Sequence, residues 1–221
     1  MIFIFIYFMR MSQDTLTMMT TIVVAVITTI IAPIIIEWFR TKILSKKTVK
    51  AMDEAISFNS LVDEQLCHLM DELNPDNIWV AQFHNGGNFY PTKKSIQKFS
   101  VFYEKSTFNG LTISPILQNI PASLFPKALD KVNNETYLEI EDIFAATETY
   151  GLDTIIMHLN SKSIYLFGVY SLDDTLIGVL GMSYTKEVYK LLDEDYSHIT
   201  QKIGAIGTLL TNYLYKSTSD K

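Results

Sequence analysis

A histidine, two asparagines and two adjacent glycines crowd the stretch FHNGGNFYPTKKS, residues 83–95, directly behind the apolar run NIWVAQ. Residues of these types build phosphate cradles, nucleophile elbows and general bases, and each of those chemistries makes its own demand on spacing. A cradle at a helix N-terminus needs glycines that open a helix, with a lysine and Ser/Thr at fixed distance, whereas strand-forming residues follow here. A hydrolase elbow needs a serine between its glycines, but Gly86 and Gly87 are adjacent. General-base chemistry at His84 requires a nucleophile or a bound water beside it, and no local motif supplies one. What remains is a long hairpin connection in which Asn85, Gly86, Gly87 and Asn88 tolerate left-handed backbone angles. Its flanks are then free to form the lip of a pocket.

Period-two alternation gives that lip a geometry. In IWVAQFH, Trp79, Ala81 and Phe83 take one strand face, and Ile78, Val80, Gln82 and His84 take the other, which turns polar toward the loop. On the following strand Lys98, Ser100, Phe102 and Glu104 share a similarly mixed face. Gln82, His84, Asn85, Tyr90, Ser100 and Glu104 are therefore the expected ligand contacts, with Tyr90 as an aromatic lid and no catalytic residue among them. His68, His158 and His198 lack metal-ligand spacing, so neither a metal nor another cofactor is expected. The acids of YLEIEDI alternate with apolar residues in the manner of a solvated strand face. Cys67 stands alone, so an intrachain disulfide and a Cys-rich zinc site are both excluded.

The elements that must hold these residues begin with a span. From Thr15 to Ile36 no charge interrupts about 22 residues, which as a helix cover roughly 33 Å and match a bilayer core. Threonine hydroxyls there can bond back to the preceding turn, and Pro33 frees a carbonyl at the inner end. A cleavable signal peptide would have a shorter apolar region ending in small residues, which IIIEWFR does not provide, so the segment reads as a retained anchor. Arg40, Lys42, Lys46, Lys47 and Lys50 follow the span against Arg10 alone before it, placing the remainder in the cytoplasm. The start, Met1 or Met11, stays open. The sequon Asn134-Glu135-Thr136 would be idle on the cytoplasmic side.

The expected organisation is a tail over 1–14, a transmembrane helix over 15–39, a basic segment and amphipathic helix over 40–74, a domain over 75–216 and a tail over 217–221. With 221 residues and 48% hydrophobic content there is enough chain for one packed core beyond the anchor. A net charge of −6 gives no basic footprint, so nucleic acid is not an expected partner. Ala51, Ala55, Phe58, Val62, Leu66, Leu69 and Leu73 recur at helical steps until Asn74-Pro75 ends the helix. That stripe could face the domain, a second copy of the chain, or both. NIWVAQFH and SIQKFSVFYEKS then read as neighbouring strands, and SPILQNIPASLFPKALDKV as short helices broken at Pro121 and Pro126. TYLEIEDI reads as a strand, DTIIMHL stays ambiguous, and SKSIYLFGVYS with TLIGVLGMSYT forms a hairpin around Leu172, Asp173 and Asp174. Acids open a final helix whose stripe is Ile199, Ile203, Ile206, Leu210, Tyr213 and Leu214.

This order is an α+β plan with an antiparallel sheet. Its end, SIYLFGVYSLDDTLIGVLGMSYT followed by DEDYSHITQKIGAIGTLLTNYL, resembles the GAF family of small sensory domains, with PAS-like domains as the alternative. The Gly178-Val179-Leu180 run before an acid-led helix carries the likeness, which covers about residues 50 to 215. QFHNGGNFY…SIQKFSVFYE looks like small GAF-like proteins of phages and bacteria. The resemblance implies first and last helices on one sheet face and a small-molecule pocket beneath the crossover on the other. Bilin-binding members attach chromophore to a cysteine near the pocket, whereas Cys67 lies in the leading helix. The Asn-Lys…Phe…Asp-Glu signature of cyclic-nucleotide binders is missing, and reduction of methionine sulfoxide would need a second cysteine. The apolar span and the resemblance together lead to the expectation of a membrane-anchored, non-enzymatic module that binds a small molecule or a protein and signals through its helices, and the two helix stripes to that of a homodimer. A tethered scaffold, or an enzyme using His84 as general base, is the alternative.

Overall fold

The computed structural model describes residues 13–88, 92, 94–107 and 111–219, and it divides into two compact units, Met1–Ile56 and Ser57–Lys221. Tyr90 and the tail before Gln13 lie outside the described residues, as do the side chains of the basic cluster from Arg40 to Lys50.

In the first unit, helix α1 (Gln13–Val26) leads through a π-helical turn, Ile27–Ile31, into the start of α2 (Ala32–Leu73), whose residues from Ser57 on belong to the second. Pro33 explains the turn. Its ring crowds the carbonyl four residues back and it has no N–H to donate, and a wider turn relieves both. The threonines bond as the sequence leads one to expect, Thr17, Thr21 and Thr29 donating to the carbonyls of Gln13, Thr17 and Ala25 at 2.8, 2.8 and 2.6 Å. Thr15–Phe39, 25 residues whose mean hydropathy reaches 2.5 over an 18-residue window, is the one stretch among the described residues long and apolar enough to cross a membrane.

The second unit holds one six-stranded antiparallel sheet. Its strands are β1 (Asn77–Asn88), β2 (Ser95–Ser106), β3 (Ile120–Pro121), β4 (Tyr137–Ile140), β5 (Ser163–Tyr170) and β6 (Leu176–Tyr184), in the order β3-β2-β1-β6-β5-β4. Helices α3 (Pro126–Glu135) and α4 (Asp153–Leu159) lie in the crossover regions, and α5 (Asp193–Ser219) closes the chain. The ambiguous DTIIMHL is therefore a helix. It buries Ile155, Ile156 and Leu159, and Asn160 ends it in the left-handed region at φ 53°. Pro126 opens α3 at its first turn, where a missing N–H costs nothing.

Two apolar cores sandwich the sheet. On one face, Val62, Leu66, Leu69 and Leu73 of α2 and Ile199, Ile203, Ile206 and Leu210 of α5 pack with Ile78, Val80, Phe167 and Leu180. On the other, Trp79, Ala81 and Phe99 pack beneath Ala128, Val132, Leu152 and Ile155 of the crossover. The sheet thus has the first and last helices on one face and the crossover on the other. The face assignment along β1 holds. The one along β2 does not, because the pairing Val80↔Tyr103, Ala81↔Val101 leaves Phe102 as an extra residue. This bulge inverts every side chain beyond it, so Ser100 pairs with Gln82 on the α2/α5 face while Glu104 pairs with Trp79 on the crossover face. The expectation that Lys98, Ser100, Phe102 and Glu104 share one face is corrected accordingly.

Asp76 bolts the start of β1 to the end of β6, its neighbour in the sheet. Its carboxylate, 4% exposed, accepts the Thr185 N–H at 2.8 Å and the Thr185 hydroxyl at 3.0 Å, and pairs with Lys186 Nζ at 2.8 Å. Burial by itself would raise the Asp76 pKa, but the hydrogen bonds from Lys186 and Thr185 outweigh it and hold the carboxyl below its ordinary value.

Candidate functional site

The hairpin loop comes first. β1 continues through Asn85–Asn88, so much of the loop is itself strand, and among its described residues only Gly87 takes a left-handed angle, φ 104°. Asn85 Oδ1 accepts the Gly87 N–H at 3.0 Å and the Ser95 hydroxyl at 2.9 Å, tying the two sides of the turn. His84 Nε2 lies 2.9 Å from Ser100 Oγ, and Ser100 Oγ accepts the Asn119 N–H at 2.9 Å. A hydroxyl beside an imidazole is the core of a nucleophile–base pair. Here, however, Ser100 is 3% exposed and its oxygen anchors the chain entering β3, and neither residue lines either of the cavities described below.

The other expected contacts separate. Gln82 stands beside Ser100 on the α2/α5 face. Glu104, on the opposite face, accepts the N–H groups of Ile113 and Ser114 at 2.5 and 2.9 Å and the Asn77 amide at 2.8 Å, which pins the segment after β2 to the sheet. The scattered histidines find local partners: His158 Nε2 donates to the Thr112 carbonyl at 2.9 Å, while His68 and His198 sit 3.9 and 3.7 Å from Glu64 and Glu72.

Beneath the crossover, the expected pocket is largely filled. A cavity of about 30 Å³ remains, lined by Trp79, Phe83, Phe99, Phe125 and aliphatic neighbours. Trp79 lies against Gly181 of β6, its cross-strand partner, where a Cβ would collide with the indole ring. Its Nε1 is buried without a hydrogen-bond partner. Phe99 contacts Phe83 and Phe125 at ring-centroid distances of 6.3 and 5.6 Å. The space equals roughly one water molecule, far below the ~300–1,000 Å³ of ordinary ligand sites.

The larger opening was not foreseen. It is a groove of about 610 Å³ on the α2/α5 face, between β4, β5 and α5. Alternation on β4 turns Tyr137 and Glu139 toward it, with Glu141 beyond the strand end, and helical spacing on α5 brings Asp193, Tyr196, Thr200 and Gly204 to its other wall. Tyr137, Phe167 and Tyr196 form its floor, with centroids 5.2 to 6.1 Å apart. The Tyr196 phenol donates to Glu139, and Lys190 Nζ pairs with Glu141 at 2.8 Å. Burial first, and then the neighbouring Glu139 carboxylate, push the Tyr196 pKa up, keeping the phenol a donor. Glu139 and Glu141 of YLEIEDI, read from sequence as a solvated face, therefore line this groove.

No protein-family model and no curated protein matches the chain. Solved structures do. The GAF domain of PixJ from Thermosynechococcus elongatus, in its blue-light-absorbing form, aligns over 75% of this chain and 92% of its own with TM-score 0.58 at 14% identity. GAF3 of Slr1393 from Synechocystis sp. PCC6803 aligns over 74% and 99% with TM-score 0.58 at 13% identity. A phycocyanobilin-bound GAF domain of a cyanobacterial phytochrome aligns over 80% and 96%, again at 0.58 and 13%. The fold is GAF-like. Within it, Cys67 lies on α2, the helix that packs on the face opposite the crossover cavity, and the aromatic filling leaves no room there for a tetrapyrrole.

Proposed function

We propose that the chain is a membrane-anchored, non-enzymatic GAF-like module that binds a small ligand and signals through α2 and α5. One observation carries this reading: the roughly 610 Å³ groove is built on α5, and α5 shares a core with the last turns of α2. A ligand there would touch the output helix directly. The anchor in this reading is Thr15–Phe39, with the domain on the cytoplasmic side where the basic cluster from Arg40 to Lys50 belongs. The bilin of the phytochrome GAF structure is not transferred to this chain, because the space beneath the crossover, where the resemblance implies a pocket, is filled.

The test is native mass spectrometry of the full chain extracted in mild detergent. A retained small molecule, with α5 protected from hydrogen exchange while it is bound, supports the reading. A bare chain that no metabolite extract stabilises opposes it. The filled crossover cavity favours a second reading, a tethered scaffold that recruits a protein partner; capture of a defined partner by the bare chain would establish that instead.

A further inference from the structure

The groove also carries information about what it takes. Its floor is three rings packed edge and face on one another, too close to hold a cation between them, with Phe167 4% exposed beneath, so a ligand meets chiefly the two tyrosine rings. Above that floor stand two carboxylates, each with one bond used: Glu139 by the Tyr196 phenol, Glu141 by Lys190. A carboxylate offers about four lone-pair sites, so both keep acceptor capacity for a donor entering from solvent. Asp193 adds a third acid to the lining against the single base Lys190, which leaves the groove negative.

Gly204 supplies an independent indication. It sits within α5, where glycine costs about 1 kcal/mol relative to alanine, and its φ is not in the left-handed region. A Cβ built there meets nothing within 4 Å. Neither backbone conformation nor packing within the chain therefore calls for glycine. The bare backbone keeps the groove wall open instead.

We propose that this groove binds a small organic ammonium compound, its apolar body on Tyr137, Phe167 and Tyr196 and its amine between Glu139 and Glu141. For its consequence, though not for the binding itself, this rests on the sensory reading above. The volume fits a compact molecule, since ligand sites of ~300–1,000 Å³ are the usual range. Charge-assisted hydrogen bonds to the two carboxylates select a protonated amine, while a carboxylate of the same shape meets like charge.

The probes are tryptamine and indole-3-propionate, which share an indole body and differ in the sign of the charge. Calorimetry on the full chain in detergent micelles at low salt should show tryptamine binding at about 1 mM or tighter and no heat from the propionate. Gly204→Leu starts from a Cβ in open space, projects its side chain into the groove and favours the helix, so it should raise the melting temperature while weakening tryptamine by about tenfold or more. The paired change Glu139→Gln and Glu141→Gln should keep the shape and remove the preference for the amine. The proposal is overturned if tryptamine fails to bind, if Gly204→Leu binds it as well as the parent, or if the propionate binds equally. Tryptamine binding that leaves hydrogen exchange in α5 and α2 unchanged would uphold the groove and remove the sensory reading, so the two fail separately.

Discussion

Asp76→Asn tests what joins the start of β1 to the end of β6. The substitution keeps the shape but removes the charge, and it turns an N–H₂ group toward either the Thr185 N–H or the Lys186 ammonium. The Lys186 side chain is 68% exposed, so its ion pair is screened and is assigned little. The loss then rests on the buried hydrogen bonds from Thr185. One charge-assisted bond lost at a buried acceptor costs about 2 kcal/mol. For a chain of this size that is about 4–8 °C in melting temperature. The dependence on pH has a definite sign: the folded pKa is depressed, so the contribution is full above the unfolded value near 4 and is lost as pH falls through the folded value. The gap between parent and Asp76→Asn should thus be widest near pH 7 and shrink on acidification to about pH 3. Circular dichroism melts of the full chain in detergent read both quantities. A gap below about 1 °C near neutrality, or one unchanged at about pH 3, would refute the reasoning.

The hairpin loop offers a paired comparison: Gly87→Val forces a β-branched residue to φ 104° and should cost about 1–3 kcal/mol, whereas Gly86→Val need only displace the flexible Lys98 side chain and should cost about 1 kcal/mol or less. Equal losses in urea titrations would mean that backbone strain is not what selects glycine there. His84→Ala removes the 2.9 Å contact with Ser100, worth about 1 kcal/mol, and should leave any co-purifying molecule in place; its loss at unchanged stability would instead make the loop a binding lip. A reporter fused after Lys221 should be cytoplasmic, and protection of that end from protease in inside-out vesicles would contradict the placement. Leu61 and Tyr213, 43% and 37% exposed, leave apolar surface on the outer sides of α2 and α5, so the full chain should sediment as a dimer in detergent, and a monomer at high micromolar concentration would count against that.

Local pattern was enough for everything that depends on near neighbours in the chain. An uncharged run of about 22 residues can only be satisfied as a helix in an apolar setting, so the candidate span was legible. Period two assigned the faces of β1, and helical spacing picked out Val62, Leu66, Leu69, Ile199, Ile203 and Ile206 as the inward stripes of α2 and α5. Asp173 and Asp174 between apolar runs marked the β5–β6 turn, where Asp174 adopts φ 58°. What sequence pattern left undecided depends on pairs far apart in the chain. The bulge at Phe102 is a matter of register between two strands, and one extra residue was enough to send Glu104 away from Ser100. The alternating Glu139 and Glu141, on β4 and just past its end, look the same whether they face water or a groove, and only the distance between that edge strand and α5 decides. Likewise Trp79, Phe83, Phe99 and Phe125 are ordinary core residues one by one; that together they close the crossover cavity follows from how three separate segments pack, which no local periodicity encodes.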